Sequence, residues 1–131
     1  MIEVVAAIIK VRNKFLCCQR SKNKYNYLSR KFEFPGGKVE KNETKEEALI
    51  REIKEELCLD VLIDKFFTTI NYSYPDFDLE MHCFFCSVEQ LDIKLNDHIS
   101  YELIELEKLK KLDWVPADLK LISLLENNNG I

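Results

Sequence analysis

The chain has 131 residues, of which 47% are hydrophobic and 32% are charged. This composition is too apolar for a disordered chain and too interrupted by charge for a membrane span, and the length favours a single domain over residues 1–131. The net charge of −4 argues against a nucleic-acid partner bound through its phosphates. The five cysteines lie mostly in apolar runs, as expected for buried thiols of a cytoplasmic protein.

Two strands open the predicted structure. Residues Ile2–Val11 are rich in β-branched side chains, and Lys14–Gln19 follow after the polar break Arg12-Asn13. This pattern predicts two adjacent strands joined by a hairpin turn. The polar segment 20–31 is predicted to form a loop.

The middle of the chain predicts one amphipathic helix and a long hairpin. Residues 44–57 contain neither Gly nor Pro, and Leu49, Ile53 and Leu57 recur every four residues, which indicates a helix. Two apolar runs, 61–74 and 79–88, flank a turn at Tyr74-Pro75-Asp76 and predict paired strands.

The C-terminal part predicts a strand over residues 99–105 and two short helices over 106–112 and 117–125, the second beginning after Pro116. Residues 127–131 are expected to fray. The order of strands and helices indicates a mixed α/β fold.

A lone CxxC, formed by Cys83 and Cys86, lies within the predicted strand 79–88. A strand would point these two side chains to opposite faces. We therefore expect them to pack in the core and not to bind zinc.

Two of the three glycines of the chain, Gly36 and Gly37, are adjacent and follow Pro35 directly. Paired glycines permit positive φ angles and let the backbone approach a ligand closely, which suits a loop that contacts phosphate or metal. Taken alone, the pair is explained by a tight turn between a strand and a helix.

Three glutamates, Glu52, Glu55 and Glu56, share one face of the predicted helix because they are three and four residues apart. Like charges at these spacings destabilise a helix unless a counter-ion is present. A hard divalent cation would supply it, and oxygen ligands favour Mg²⁺ or Mn²⁺ over zinc. A solvated acidic face explains any one of the glutamates, whereas the set beside the glycine pair favours a cation.

Together these residues resemble the Nudix box, G-x5-E-x7-R-E-U-x-E-E-x-G-U, where U is a bulky aliphatic residue. The chain matches six of the seven fixed polar or glycine positions. The matching residues are Gly37, Glu43, Arg51, Glu52, Glu55 and Glu56. Cys58 replaces the glycine at the helix exit, which should cost roughly 1 kcal/mol or shift the end of the helix.

The resemblance extends to MutT-like Nudix enzymes over nearly the whole chain, through the segment 33–38, the Asp97 loop and the segment 114–118. It implies a central mixed β-sheet sandwiched between helices. It also implies Mg²⁺, or Mn²⁺, as the cofactor. The implied metal ligands are the carbonyl of Gly37 and the carboxylates of Glu52, Glu55 and Glu56.

The resemblance also assigns roles to residues around these ligands. Glu52, Glu55 and Arg51 are implied as catalytic residues, with Arg51 orienting a box glutamate. Asp97 is implied as a further ligand or base, and an exposed loop aspartate is the equal alternative. Gly36 and Glu43 are implied as structural residues of the box. Glu43 is expected to meet the free amides at the helix N-terminus.

Four residues are implied in substrate binding. Arg20 resembles a phosphate-binding arginine of the MutT-like subgroup, and Asp118 stands where that subgroup has an amide that recognises the nucleobase. An ionised Asp only accepts hydrogen bonds, which favours (d)CTP or modified pyrimidines, with 8-oxo-dGTP close behind. Phe34 and Phe77 could stack on the base, and burial in the core is the alternative for both.

The function implied by the resemblance is Mg²⁺-dependent hydrolysis of nucleoside triphosphates to a monophosphate and pyrophosphate. Expected substrates are abnormal or surplus nucleotides such as CTP, 5-methyl-dCTP or 8-oxo-dGTP. One alternative is a sensing module that binds nucleotide without hydrolysis, against which the intact glutamates argue. Another is an RNA-processing hydrolase, which would need a basic surface. Neither a nucleic acid nor a membrane is expected as a partner, and monomer and homodimer remain open.

Overall fold

The computed structural model describes all residues, 1–131, and contains seven strands and two α-helices. The strands are β1 (Ile2–Val11), β2 (Lys14–Gln19), β3 (Phe32–Glu33), β4 (Gly36–Lys38), β5 (Leu62–Ser73), β6 (Asp78–Ser87) and β7 (Ser100–Glu105). The helices are α1 (Lys45–Leu57) and α2 (Pro116–Asn127). The predicted strands and both of these helices are confirmed to within a few residues. The predicted helix 106–112 is instead a 3₁₀ helix over Leu106–Lys111, and β3 and β4 were not predicted.

Strand β1 forms the centre of a mixed sheet. It pairs in parallel with β6 and antiparallel with β4, and its end forms the predicted hairpin with β2. Strand β5 pairs antiparallel with β6, and β2 pairs antiparallel with both β3 and β7. The hairpin turn places Arg12 and Asn13 at positive φ, as a two-residue turn matched to strand twist requires.

The two faces of the sheet are covered by different helices. Alternate residues of β1 point to opposite faces, so that Val5 packs in a cluster with Leu49 and Ile53 of α1, while Ile8 packs in a second cluster with Leu121 of α2. The fold is therefore the predicted mixed sheet between helices. Neither helix is both long and apolar enough to cross a membrane.

The CxxC pair behaves as expected from strand geometry. Cys83 belongs to the cluster on the α2 face and Cys86 to the cluster on the α1 face, and both are free and buried. Burial raises the pKa of the Cys86 thiol to about 12. These two thiols are packing residues of the core.

Helix α1 begins and ends at capped positions. The side chain of Thr44 accepts a hydrogen bond from the backbone N–H of Glu47, and the carboxylate of Glu47 accepts one from the N–H of Thr44. The helix ends at Leu57, and the capping residue Cys58 adopts the left-handed conformation (φ 57°) normally given to glycine. Asn96 donates to the Glu55 carbonyl oxygen at 2.8 Å and thereby satisfies one free carbonyl of the last turn.

The prediction that residues 127–131 fray is wrong for Gly130, which is buried. Its N–H donates to the Leu125 carbonyl at 2.7 Å, and its carbonyl accepts from Lys10 Nζ at 3.3 Å. Gly130 has φ +74°, and an added Cβ would lie 3.3 Å from both Leu106 and Phe15. The chain end therefore folds back onto the first hairpin.

Candidate active site

A cavity of about 610 Å³ lies beside β1, β4 and α1. Its polar lining comes from several separate segments of the chain. These polar residues include Arg20, Lys24, Glu33, Glu52, Glu56, Asp97 and Asp118. Aromatic residues of the cavity wall are Tyr25, Phe34, Tyr74 and Phe77. The cavity thus combines charged and aromatic surfaces, as ligand-binding sites commonly do.

The glycine pair lies in β4, where space and not backbone conformation requires glycine. A Cβ on Gly36 would lie 1.9 Å from the Val5 carbonyl oxygen, and one on Gly37 would lie 2.1 Å from Glu52 Oε2. Neither glycine has positive φ, and both lie in a strand and not in the tight turn that the pair alone would predict. The close approach to a ligand stays a prediction; in the structure, the absence of a Cβ at Gly37 lets the Glu52 carboxylate approach the strand backbone closely.

Arg51 is the centre of an ion-pair network along one side of α1. Its guanidinium donates to Glu43 at 2.6 and 2.9 Å, to Glu52 at 2.8 Å and to Glu55 at 3.3 Å. It also donates to the Lys38 carbonyl at 3.0 Å, which ties α1 to β4. Five donors in a fixed plane allow one arginine to orient several acceptors at once.

The predicted contact of Glu43 with the amides at the start of α1 is wrong, because Thr44 provides that cap. Glu43 instead accepts from Arg51 and from the N–H of Glu40. The hydrogen bond from Arg51 lowers the pKa of Glu43 to about 2. Glu43 therefore anchors the arginine that in turn contacts Glu52.

Glu56 carries a carboxylate oxygen that is buried beside the cavity. Its Oε1 atom is buried and has no hydrogen-bond partner. Desolvation raises the pKa of Glu56 to about 8, and the nearby carboxylates Glu33, Glu52 and Asp97 add to the shift. A buried, unpartnered carboxylate oxygen in a cavity that contains other carboxylates is suited to binding a cation.

Glu55 differs from the other two glutamates of the box. Its side chain is 59% exposed and contacts Arg51, and it is absent from the cavity wall. Glu52 and Glu56 both line the cavity together with Gly37. The structure therefore brings two of the three helix carboxylates together in the cavity and leaves the third at its outer edge.

Arg20, Glu33 and His98 form a chain of contacts across the cavity wall. Glu33 Oε1 accepts from Arg20 Nη1 at 2.9 Å, and Glu33 Oε2 lies 2.8 Å from His98 Nε2. Burial lowers the pKa of His98, but the hydrogen bond with Glu33 and the negative charges of Glu33, Glu56 and Asp97 together outweigh burial and raise it. Because Asp97 precedes His98, this chain fixes the position of the Asp97 loop relative to Arg20.

Asp118 is buried at the start of α2, and its Oδ2 atom accepts from the N–H of Phe34 at 2.7 Å. Burial, followed by the charge of Glu33, raises the pKa of Asp118 well above its usual value. This direction favours a protonated Asp118 over the ionised, accepting-only carboxylate expected from the sequence. A protonated carboxyl both donates and accepts, as an amide does.

The two predicted stacking residues have different surroundings. Phe34 is buried and packs against Trp114 at 4.9 Å between ring centroids, yet it also lines the cavity. Phe77 is half-buried and contacts Tyr74 at 5.0 Å and Tyr25 at 6.2 Å. Trp114 itself is buried, and its indole N–H donates to the Leu109 carbonyl.

Several site residues escaped sequence reasoning. His98, Tyr25 and Tyr74 carry no pattern that marks them, because their neighbours in the cavity are far away in the sequence. Tyr27, which stacks on Tyr74 at 4.9 Å and donates to Asp76 at 2.6 Å, joins the 20–31 loop to the β5–β6 hairpin. A cluster of tyrosines in a predicted loop was the available signal.

Comparisons with known proteins agree with this geometry. The NUDIX domain model matches residues 1–125. The chain is 29% identical over 122 residues to CTP pyrophosphohydrolase of Escherichia coli, covering 93% of this chain and 89% of that protein. It is 31% identical over 123 residues to 8-oxo-dGTP diphosphatase of Buchnera aphidicola from Schizaphis graminum, covering 94% and 92% respectively.

A solved structure extends this similarity to three dimensions. The crystal structure of the MutT protein from Methanosarcina mazei superimposes with a TM-score of 0.86 at 26% identity, covering 99% of this chain and 96% of that one. With a family model that spans almost every residue and a site built on the matching box, the chain belongs to the NUDIX family.

Proposed function

We propose that this chain, a hydrolase of phosphoric anhydride bonds, converts nucleoside triphosphates to a nucleoside monophosphate and pyrophosphate with Mg²⁺ as its cofactor. We further propose that residues 1–131 form one catalytic domain, which removes abnormal or surplus nucleotides such as CTP, 5-methyl-dCTP or 8-oxo-dGTP. The observation that carries the proposal is the buried, unpartnered Oε1 of Glu56 in a cavity shared with Glu52 and Arg20.

The donor set fits a hard divalent cation. Glu52, Glu56 and the Gly37 carbonyl supply oxygen atoms only, which Mg²⁺ and Mn²⁺ prefer. The space that a Cβ on Gly37 would fill is occupied by the Glu52 carboxylate. When bound, such a cation neutralises phosphate charge and lowers the pKa of a water molecule. Glu55, at the outer edge, would be a ligand only after its side chain leaves Arg51.

The chain's own residues would bind and orient the triphosphate. Arg20 and Lys24 supply positive charge to the cavity wall, and Glu33 holds the Arg20 guanidinium in place. Arg51 keeps Glu52 oriented toward the cavity. Asp97 also lines the cavity, where it would act as a further ligand or accept a proton from water. Phosphoryl transfer depends mainly on such positioning and charge neutralisation.

Base recognition would involve Asp118 with Phe77 and Tyr25 at the aromatic part of the wall. A protonated Asp118 whose Oδ2 accepts from Phe34 can still donate to a base carbonyl. This removes the reason to rank cytosine above 8-oxoguanine, because the donor can pair with the carbonyl group of either base. Both relatives named above fit this wider substrate set.

The test is a panel of CTP, 5-methyl-dCTP, 8-oxo-dGTP and 2-hydroxy-dATP, with pyrophosphate release measured in Mg²⁺ and in Mn²⁺. We expect release with at least one substrate and a loss of roughly 10²-fold or more in Glu56→Gln, the size associated with removing one charge-stabilising group. Asp118→Asn should change the ranking of substrates. Nucleotide binding without pyrophosphate release would contradict the proposal and indicate the sensing alternative.

A further inference from the structure

A second cluster of metal-ligating side chains lies outside the cavity, on the α1 face of the sheet. Glu3 of β1 and Glu80 and His82 of β6 share this face with Val5 and Phe84, which pack against α1. Glu3 and Glu80 are direct partners in the parallel β1–β6 pairing. None of the three lines the cavity, so the cluster is separate from the box glutamates.

The ligand atoms of this cluster have the spacing of a small coordination sphere. The Nε2 atom of His82 lies 2.9 Å from Glu3 Oε2 and 3.3 Å from Glu80 Oε1, and all three atoms lie within 4.8 Å of one another. Two ligand atoms that each lie roughly 2.0–2.1 Å from a tetrahedral metal ion are about 3.3 Å apart. The distances around Nε2 are therefore close to those of atoms that share one cation.

The imidazole of His82 is also held as a metal ligand usually is. Its side chain is only 5% exposed, and its Nδ1 atom lies 2.9 Å from Thr69 Oγ1. An oxygen partner at one ring nitrogen fixes the ring and its tautomer for metal binding at the other. When Nδ1–H donates to Thr69, the lone pair of Nε2 points toward two carboxylates, which requires a proton or a cation between them.

Charge balance favours a divalent cation at this place. No Lys or Arg forms an ion pair with Glu3 or Glu80, and His82 is the partner of both. Carboxylates that face each other on adjacent strands destabilise the pairing. A proton on His82 supplies one positive charge against two negative charges, whereas a divalent cation balances both.

We propose that Glu3, Glu80 and His82 bind a divalent first-row transition metal ion such as Zn²⁺ or Co²⁺. An imidazole ligand favours these ions over Mg²⁺, so the site discriminates against the cation that the box prefers. The carboxylates of Glu3 and Glu80 are 44% and 32% exposed, which leaves water as the remaining ligand. Because the Glu3 carbonyl accepts from Val39 N–H, the bound ion ties the segment leading into α1 to both strands.

The test is a Co²⁺ titration of the full chain, because Co²⁺ absorption distinguishes oxygen and nitrogen ligands from thiolates. The titration uses the variant Glu52→Gln/Glu56→Gln/Cys58→Ser. This variant lacks two carboxylates of the proposed box site and the exposed thiol. We expect one equivalent of Co²⁺ to bind without a thiolate band, Zn²⁺ to displace it, and excess Mg²⁺ not to displace it. His82→Gln should weaken binding by roughly 100-fold or more, beyond the effect of losing a supporting residue.

Glu3→Gln provides a second variant that leaves the core intact, because the Glu3 side chain is 44% exposed and Glu3 belongs to neither core cluster. It should also weaken Co²⁺ binding, and paramagnetic broadening should be strongest for the amides of Glu80, His82 and Thr69 and weaker for those of Glu52 and Glu56. Binding that is unchanged by both substitutions would overturn the proposal. An absence of saturable binding to the folded protein would also overturn it.

Discussion

Replacing Glu56 by Gln should stabilise the metal-free protein at alkaline pH. Burial raises the pKa of this carboxyl from 4.5 to about 8. At about 1.36 kcal/mol per pKa unit, this shift corresponds to roughly 5 kcal/mol. Because the side chain lies on the wall of an open cavity, solvent screening reduces the expected effect to about 2–3 kcal/mol.

The sign of the pH dependence follows from the direction of the shift. The folded state keeps the Glu56 proton up to about pH 8, whereas the unfolded chain releases it near 4.5. Between these values the unfolded state binds fewer protons, so the free energy of unfolding falls as pH rises. The loss of stability is absent at pH values below the pKa of Glu56 in the unfolded chain, and it is complete above the pKa of Glu56 in the folded protein. Glutamine cannot ionise, so Glu56→Gln lacks this slope.

The assay is urea unfolding in EDTA at about pH 5.5 and about pH 8.5, two conditions between which most of the pH-dependent loss of stability occurs. The free energy of unfolding of wild type should fall by about 2 kcal/mol more than that of Glu56→Gln between the lower and the higher pH. Mg²⁺ should restore the stability of wild type at the higher pH and not that of the variant. Glu55→Gln, an exposed neighbour on the same helix, is the matched control and should follow wild type. Parallel pH profiles for wild type and Glu56→Gln would refute the reasoning.

Three further substitutions test other parts of the site. Gly37→Ala should displace the Glu52 carboxylate and lower both Mg²⁺ affinity and kcat by roughly 10²-fold, while the fold is retained. An unchanged kcat would contradict the argument that Glu52 needs the space beside Gly37. Glu33→Gln should raise KM for the triphosphate roughly 10-fold, with a smaller change in kcat, because Arg20 loses the carboxylate that orients it. An unchanged KM would show that Arg20 does not need Glu33 to bind the triphosphate. Cys58→Gly should raise the thermal midpoint, measured by calorimetry, by roughly 2–5 °C, because glycine adopts φ 57° without a Cβ penalty. No rise would mean that loss of the contact between Asn96 and the Cys58 thiol offsets this gain.

Local sequence patterns were sufficient for the elements that carry the box. The four-residue repeat of Leu49, Ile53 and Leu57 correctly predicts the buried face of α1, and the spacing of Glu52 and Glu56 correctly places both on one side of it. The two short strands escaped prediction because two or three residues carry no measurable periodicity. The role of Gly37 also depends on a contact with Glu52 that only the folded chain reveals.

Properties set by tertiary burial were beyond sequence reasoning. The raised pKa of Asp118 depends on its burial beside Phe34, and the chain of Arg20, Glu33 and His98 joins residues up to 78 positions apart. Exposure also separates Glu55 from Glu56, although the two are adjacent in the sequence. Charge and spacing predict candidates for such a site, and packing decides which of them share it.

A crystal structure with Mg²⁺ and a non-hydrolysable nucleoside triphosphate analogue tests the central claim most directly. The account predicts a cation bound to carboxylate oxygens of Glu52 and Glu56 at roughly 2.0–2.1 Å, with the phosphates directed toward Arg20. Clear density for the nucleotide with no cation at Glu52 or Glu56, or with the phosphates bound away from this wall, would contradict it.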